Sequence, residues 1–144
     1  MRAALFSVLA LAACAATPAP DSSPAQGGAA LAAQIRADNQ RLDADLHASG
    51  VVSAAMGETA DLGGGLTVKP LEVIEDSRCP SNVTCVWAGR LRLRAEVSGV
   101  AHELTLGEPL QTSNGTVTLA VVSPGAWSQW PGGKPPYRFG FRKS

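Results

Sequence analysis

The sequence predicts an all-β domain over residues 51–144: a small antiparallel sandwich or barrel of six to seven strands, preceded by a signal peptide, a flexible tether and a short helix or spacer. Three observations predict it. Apolar and polar residues alternate with period two in several runs after residue 51. Turn signals recur at short spacing between those runs. No long helical pattern intervenes, so the crossovers of a parallel α/β sheet have nothing to be built from. The chain has 144 residues, 45% apolar and 17% charged, which suffices for one core and leaves little room for a second domain. Twelve basic and twelve acidic side chains give zero formal charge, so there is no electrostatic footprint for nucleic acid.

The first element is a leader. Met1 and Arg2 precede an apolar run from Ala3 to Leu11, nine residues that as a helix rise only about 14 Å of a ~30 Å hydrocarbon core. The run therefore reads as a secretory signal over residues 1–13. Leu11-Ala12-Ala13-Cys14 resembles the lipobox of bacterial lipoproteins. The resemblance implies cleavage before Cys14, lipidation of its sulfur, and Ala15 in the position that influences sorting, which favours the periplasmic face of the outer membrane. Two or three acyl chains anchor stably where one does so marginally. An ordinary signal peptide with an incidental cysteine is the competing reading.

Residues 14–28 carry three prolines, two glycines and no large apolar side chain, and read as the lipidated cysteine followed by a flexible tether. Residues 29–50 form a helix or a spacer. Leu31, Ile35, Leu42 and Leu46 fall on one helical stripe, Ser49-Gly50 is a stop signal, and Asp38 interrupts the stripe.

Strands are expected at 52–61, 64–75, 85–97, 100–107, 115–123 and 136–142. Leu71 and Val73 are out of phase with Leu66 and Val68 across Pro70, which signals a bulge or an edge. Trp87, Leu91, Leu93, Ala95 and Val97 share one phase, and Arg90, Arg92, Arg94 and Glu96 the other. Ser98-Gly99 suits a two-residue turn, which pairs Ala95 with His102 and Arg94 with Glu103.

Cys79 and Cys85 form a disulfide by default in an exported chain whose remaining cysteine is lipidated. A redox pair is normally spaced Cys-x-x-Cys, and a zinc site would need His47 and His102 at spacings matching no structural site. Taken whole, DSRCPSNVTCVWAG (residues 76–89) resembles a segment recurring in small bacterial envelope proteins and lipoproteins of unassigned function: Asp-Ser-Arg-Cys-Pro, a spacer, then Cys-Val-Trp-Ala-Gly. The resemblance supports the disulfide and a compact β-domain, and transfers no enzymatic role. Within the motif, Asp76 and Arg78 are expected to brace the loop, and Trp87 to pack under the disulfide.

Catalytic patterns are sparse: there is no Gly-x-Ser-x-Gly, phosphate-loop or His-Glu-x-x-His motif, and Gly63-Gly64-Gly65 reads as a turn. His102 reads as a structural histidine on the core side. Arg90, Arg92 and Arg94 form either a solvated sheet face or a surface for an acidic partner. Trp127 and Trp130, in a long Pro- and Gly-rich connection, either cap the end of the β-core or form a stacking platform. The expectation is a lipid-anchored envelope protein without cofactor or metal, acting by binding or structural support rather than catalysis. Its candidate partners are the membrane through its lipid, an envelope protein, or a cell-wall glycan. Ligand- or inhibitor-type binding is the alternative, and thiol-redox chemistry a lesser one.

Overall fold

The computed structural model describes residues 24–144. The leader and Cys14 lie outside the described residues. Helix α1 (Pro24–Leu46) precedes eight strands: β1 (Val52–Ala55), β2 (Ala60–Asp61), β3 (Thr67–Asp76), β4 (Leu91–Val97), β5 (Val100–Thr105), β6 (Pro109–Thr112), β7 (Gly115–Ser123) and β8 (Arg138–Lys143). They form two antiparallel four-stranded sheets, ordered β1-β8-β7-β6 and β2-β3-β4-β5, which make a sandwich rather than a closed barrel. The count exceeds expectation for two reasons. The run expected at 52–61 breaks at Gly57 (φ 80°), and its halves join different sheets. β6 is a short strand opening on a proline, too brief to show alternation.

Side-chain alternation sets the registers. Ser98 (φ 48°) and Gly99 (φ 85°) both take the left-handed conformation of a primed turn, and Val97 faces Val100, Ala95 faces His102 and Arg94 faces Glu103. β3 slips register between Pro70 and Glu72, so the phase change read beside Pro70 is a bulge that turns Leu71 outward. A slip in the other sheet, between Leu119 and Val121, lets β7 bury Val117 and Leu119 and then Val122. Between the sheets lie Leu66, Val68, Leu91, Leu93, Ala95, Val97 and Leu104 from one side and Ala54, Val117, Leu119, Val122, Phe139 and Phe141 from the other.

The helix covers the outer face of the β1-β8-β7-β6 sheet. Ile35 and Leu46 are buried, and Asp43 on the helix pairs with Arg138 of β8 at 2.9 Å. It begins at Pro24, so residues 24–28, assigned to the tether by composition, belong to it. Proline is tolerated in a first helical turn because the N–H it lacks has no intrahelical partner there. With sandwich core on one face and helix on the other, Phe139, Gly140 and Phe141 are consecutively buried.

Gly140 is the point of closest approach: a Cβ there would lie 2.8 Å from Val51 Cγ1, 3.1 Å from Val121 Cβ and 3.2 Å from Leu46 Cδ2. Gly140→Ala is therefore expected to destabilise. Overpacking costs about 1–3 kcal/mol, more than the roughly 0.4–1 kcal/mol gained from a less flexible unfolded chain. Urea unfolding checks this; an unchanged or raised midpoint would show that the helix yields at no cost.

Candidate functional site

Two irregular connections meet at one end of the sandwich. The first links β3 to β4. Beyond Asp76 and Leu91 the hairpin continues for two bonds, with Ser77 N–H donating to Arg90 O and Cys79 N–H to Ala88 O, each at 2.9 Å. Gly89 sits between them with φ 69°, its backbone so close to Ser77 that a Cβ would fall 1.7 Å from the carbonyl oxygen. Only glycine fits. Past this point the chain opens into a ring closed by the Cys79–Cys85 disulfide.

The second connection, residues 124–137, links β7 to β8 and is stitched to the first. Ser81 N–H donates to Ala126 O at 2.8 Å. Asn82 makes a reciprocal pair with Ser128, its Nδ2 donating to Oγ at 2.7 Å and its Oδ1 accepting from the backbone N–H at 3.1 Å. Arg78 reaches across to Pro124 O at 3.1 Å.

Asp76 joins everything at this end. Its Oδ1 accepts from Arg78 Nε at 2.8 Å and its Oδ2 from Arg78 Nη2 at 2.9 Å, a bidentate pair. Oδ2 also accepts from the Tyr137 hydroxyl at 2.6 Å and faces Lys134 Nζ at 3.5 Å. Lys134 in turn lies over the Tyr137 ring, 4.4 Å from its centroid, and Tyr137 stacks on core residue Phe139 at 5.9 Å. Burial alone would raise the Asp76 pKa. The hydrogen bonds from Arg78 and Tyr137 and the two nearby cations outweigh it and hold the carboxyl well below the usual range. The same contact, with burial, pushes the Tyr137 phenol up.

Trp127 belongs to the framework. Its indole Nε1 donates to Asp38 Oδ2 at 3.0 Å, and Asp38 also pairs with Arg41 at 2.6 Å. The acidic residue that interrupts the helix's apolar stripe is thus the helix's attachment to this end of the sandwich. Gly125 packs so tightly that a Cβ would fall 2.1 Å from Asp38 Oδ2. Trp130 is half-buried, and its carbonyl accepts from Gly133 N–H at 3.0 Å.

Trp87 is placed otherwise than its strand phase implied. It is 83% exposed rather than beneath the disulfide, because β4 starts only at Leu91 and the left-handed Gly89 breaks the alternation before it reaches residue 87. The arginine row also differs from an open basic surface. Arg90 pairs with Glu75 at 3.0 Å, Arg92 with Glu103 and with Glu75 at 3.5 Å, and Arg94 with Glu72 at 3.0 Å. Arg94 faces Glu103 on β5 and Glu72 on β3 and pairs with Glu72, while Glu103 is taken diagonally by Arg92. Hydrogen bonds from Ser77 and Arg90 draw the Glu75 pKa down. His102 is half-buried on the same face as Ala95 and Leu104.

The sequence pointed to Asp76 and Arg78 but not to Tyr137, Lys134 or Asp38, which lie tens of residues away and reach the site only through the sheet topology. Among the described residues, no group of His, Cys, Asp and Glu is arranged to hold a metal, and no helix is long and apolar enough to cross a membrane. A shallow cleft of about 460 Å³ runs between the helix (Asn39, Gln40, Asp43) and Pro135, Pro136 and Arg138. No family model matches the chain, and no curated protein or solved structure matches it either.

The lowered Asp76 pKa fixes a sign. Its contribution to stability is full above the unfolded value near 4 and is lost as pH falls towards its folded value. Tyr137, raised, contributes fully below about pH 10 and loses its contribution as pH climbs through its folded value. Melting midpoints of the native chain and Asp76→Asn should therefore differ most between about pH 4 and 10 and converge in acid. Parallel curves down to about pH 2 would show that Asp76 does not hold this end together. In a separate test, Trp127→Phe keeps a ring but removes the donor to Asp38, and should cost about 1.5–3 kcal/mol, the range for a hydrogen bond to a charged group. Denaturant unfolding measures it; a loss under about 0.5 kcal/mol would mean the contact is idle.

Proposed function

We propose that this chain is a bacterial envelope lipoprotein, anchored through acylated Cys14 to the periplasmic face of the outer membrane, and that its sandwich is a non-catalytic binding or structural module. The lipobox-like Leu11-Ala12-Ala13-Cys14 and the motif at residues 76–89 support the location. One observation carries the binding role: two irregular connections are cross-stitched into a fixed surface at one end of the sandwich. The Asp76–Arg78–Tyr137 cluster, the disulfide and the Asn82–Ser128 pair all serve that end. So much bracing of non-repetitive backbone suits a surface whose shape must be ready before contact, because preorganisation removes an ordering cost from binding. A ligand- or inhibitor-type role, against a glycan or an attacking hydrolase, is the second reading; the exposed Trp87 beside the disulfide-closed ring favours it.

Cys14→Ser tests the location. The variant should leave the membrane fraction while keeping the native chain's melting midpoint, since the acyl chains and not the sandwich supply the attachment. Retention on membranes after a high-salt wash would overturn the lipid-anchor reading. Used as bait in envelope extract, the same full-length variant should retain a protein or glycan in stoichiometric amount; a bait that recovers nothing counts against the binding role.

A further inference from the structure

Every residue from Ser81 to Arg90 is exposed, and three of them are large and apolar: Val83 at 47%, Val86 at 92% and Trp87 at 83%. Nothing in the energetics of the fold requires an indole there, since the core is complete without it. Yet the backbone beneath is tied down at several points. The disulfide closes residues 79–85 into a ring. Val86 and Trp87 follow it directly and are held between Cys85 and the Cys79–Ala88 bond, and the Ser77–Arg90 bond and Gly89 complete the neck. Ser81 and Asn82 fasten its side to Ala126 and Ser128.

We propose that this loop is an insertion tip: Trp87 and Val86, beside the ring, with Val83 within it, enter an uncharged apolar cleft on a partner protein. This rests on the binding-module reading above and names its contact surface and the chemistry of its occupant. Three observations select that occupant. Ser81 to Gly89 contains no charged residue, and the nearest cation, Arg90, is engaged by Glu75, so a charged cleft would find nothing to pair with. The same neutrality disfavours an anionic bilayer surface, whose attraction comes from unpaired Lys and Arg, and a bilayer has no use for a rigidly shaped ring. A second copy fits worse. Two protruding tips meeting about a two-fold axis cover little more than their own apices, well short of the ~800 Å² per partner of a stable interface. A cleft surrounds the tip instead. The indole then sits at the centre and Ser81, Asn82, Ser128 and Gln129 form a polar rim, the arrangement of interfaces whose energy concentrates in a central aromatic residue.

The test replaces Trp87 in the otherwise native, lipidated chain with photoreactive p-benzoylphenylalanine, and does the same at Val100, an exposed position at the β4–β5 turn. Irradiation of intact cells should give one protein adduct from position 87 and none from position 100. With that protein purified, Trp87→Ala should weaken its Kd at least about 30-fold, the ~2 kcal/mol of a central interface residue converted at 1.4 kcal/mol per tenfold. Val86→Asp should abolish binding. Both variants should keep the native melting midpoint, because the replaced side chains lie in water. Adducts with lipid, adducts with a second copy, no adduct, equal adducts from both positions, or an unchanged Kd for Trp87→Ala would each overturn the proposal. The general reading fails separately. If Cys14→Ser bait and the same bait carrying Trp87→Ala retain a partner equally, the module binds but not through this tip. If neither retains one, both readings fall.

Discussion

The carboxylate of Asp76 is the constraint on which one whole end of the molecule depends. It stands at the last residue of β3, where the ladder with β4 ends, and receives Arg78 from its own loop and Tyr137 and Lys134 from the connection before β8. The two connections come from different sheets, so the cluster does what a ladder cannot: it joins the sheets at their rim through side chains alone. Its strength comes from satisfaction rather than from charge alone. Both oxygens accept charge-assisted or hydroxyl bonds in a site that leaves the side chain 15% exposed, where an unpaired carboxylate would be costly. Arg78 extends the join by donating onward to Pro124 O.

The helix is fixed by a second carboxylate working on the same principle. Asp38 sits in the middle of the apolar stripe, where burial without partners would cost more than the flanking leucines and isoleucine contribute. Trp127 Nε1 and Arg41 supply the partners, and Gly125 supplies the space. Helix, indole and the 124–137 connection therefore form one unit, and Asp76 binds that connection to the disulfide ring. The ring, the 124–137 connection and the helix are thus joined by several bonds, with the Ser81–Ala126 and Asn82–Ser128 contacts acting beside Asp76.

Period-two patterning made most of the fold legible, because a strand with one buried face must alternate. It succeeds for β4, where LRLRAEV alternates without exception, and for the Ser98-Gly99 turn, whose chemistry permits few other geometries. It fails where backbone conformation rather than burial decides. Nothing in the alternation of residues 85–97 reveals that Gly89 is left-handed, yet that one dihedral ends the strand at Leu91 and turns Trp87 into solvent. Composition similarly hid the start of the helix, since Pro24 is tolerated there while Gly27 and Gly28 lower propensity within it without preventing it. Sequence adjacency exposed the Asp76–Arg78 half of the site; Tyr137, 61 residues on, is brought there only by the order of strands in the sheets. The arginine row shows the same limit. The β4–β5 register was predictable, but Glu72 and Glu75 face Arg94 and Arg92 only through the bulged β3–β4 register, and Arg92–Glu103 and Arg90–Glu75 are reached along diagonals.

The contrast between the three tryptophans is the sharpest guide to what this end of the molecule is for. Trp127 donates its N–H to Asp38 on the helix and is half-buried, and Trp130 is half-buried in the same connection. Both are accounted for by the fold. Trp87 sits on a loop tied down by a disulfide and several hydrogen bonds and contributes almost no buried area to it. Bracing of that kind would stabilise the fold equally with a serine at position 87, and a polar residue there would lower the aggregation risk of an exposed indole. A rigid loop that holds a large apolar side chain in water therefore answers to something other than the stability of its own domain. On the proposed reading, the use of such a side chain is contact with another surface, and the fixed shape of the loop would limit which surfaces it can meet.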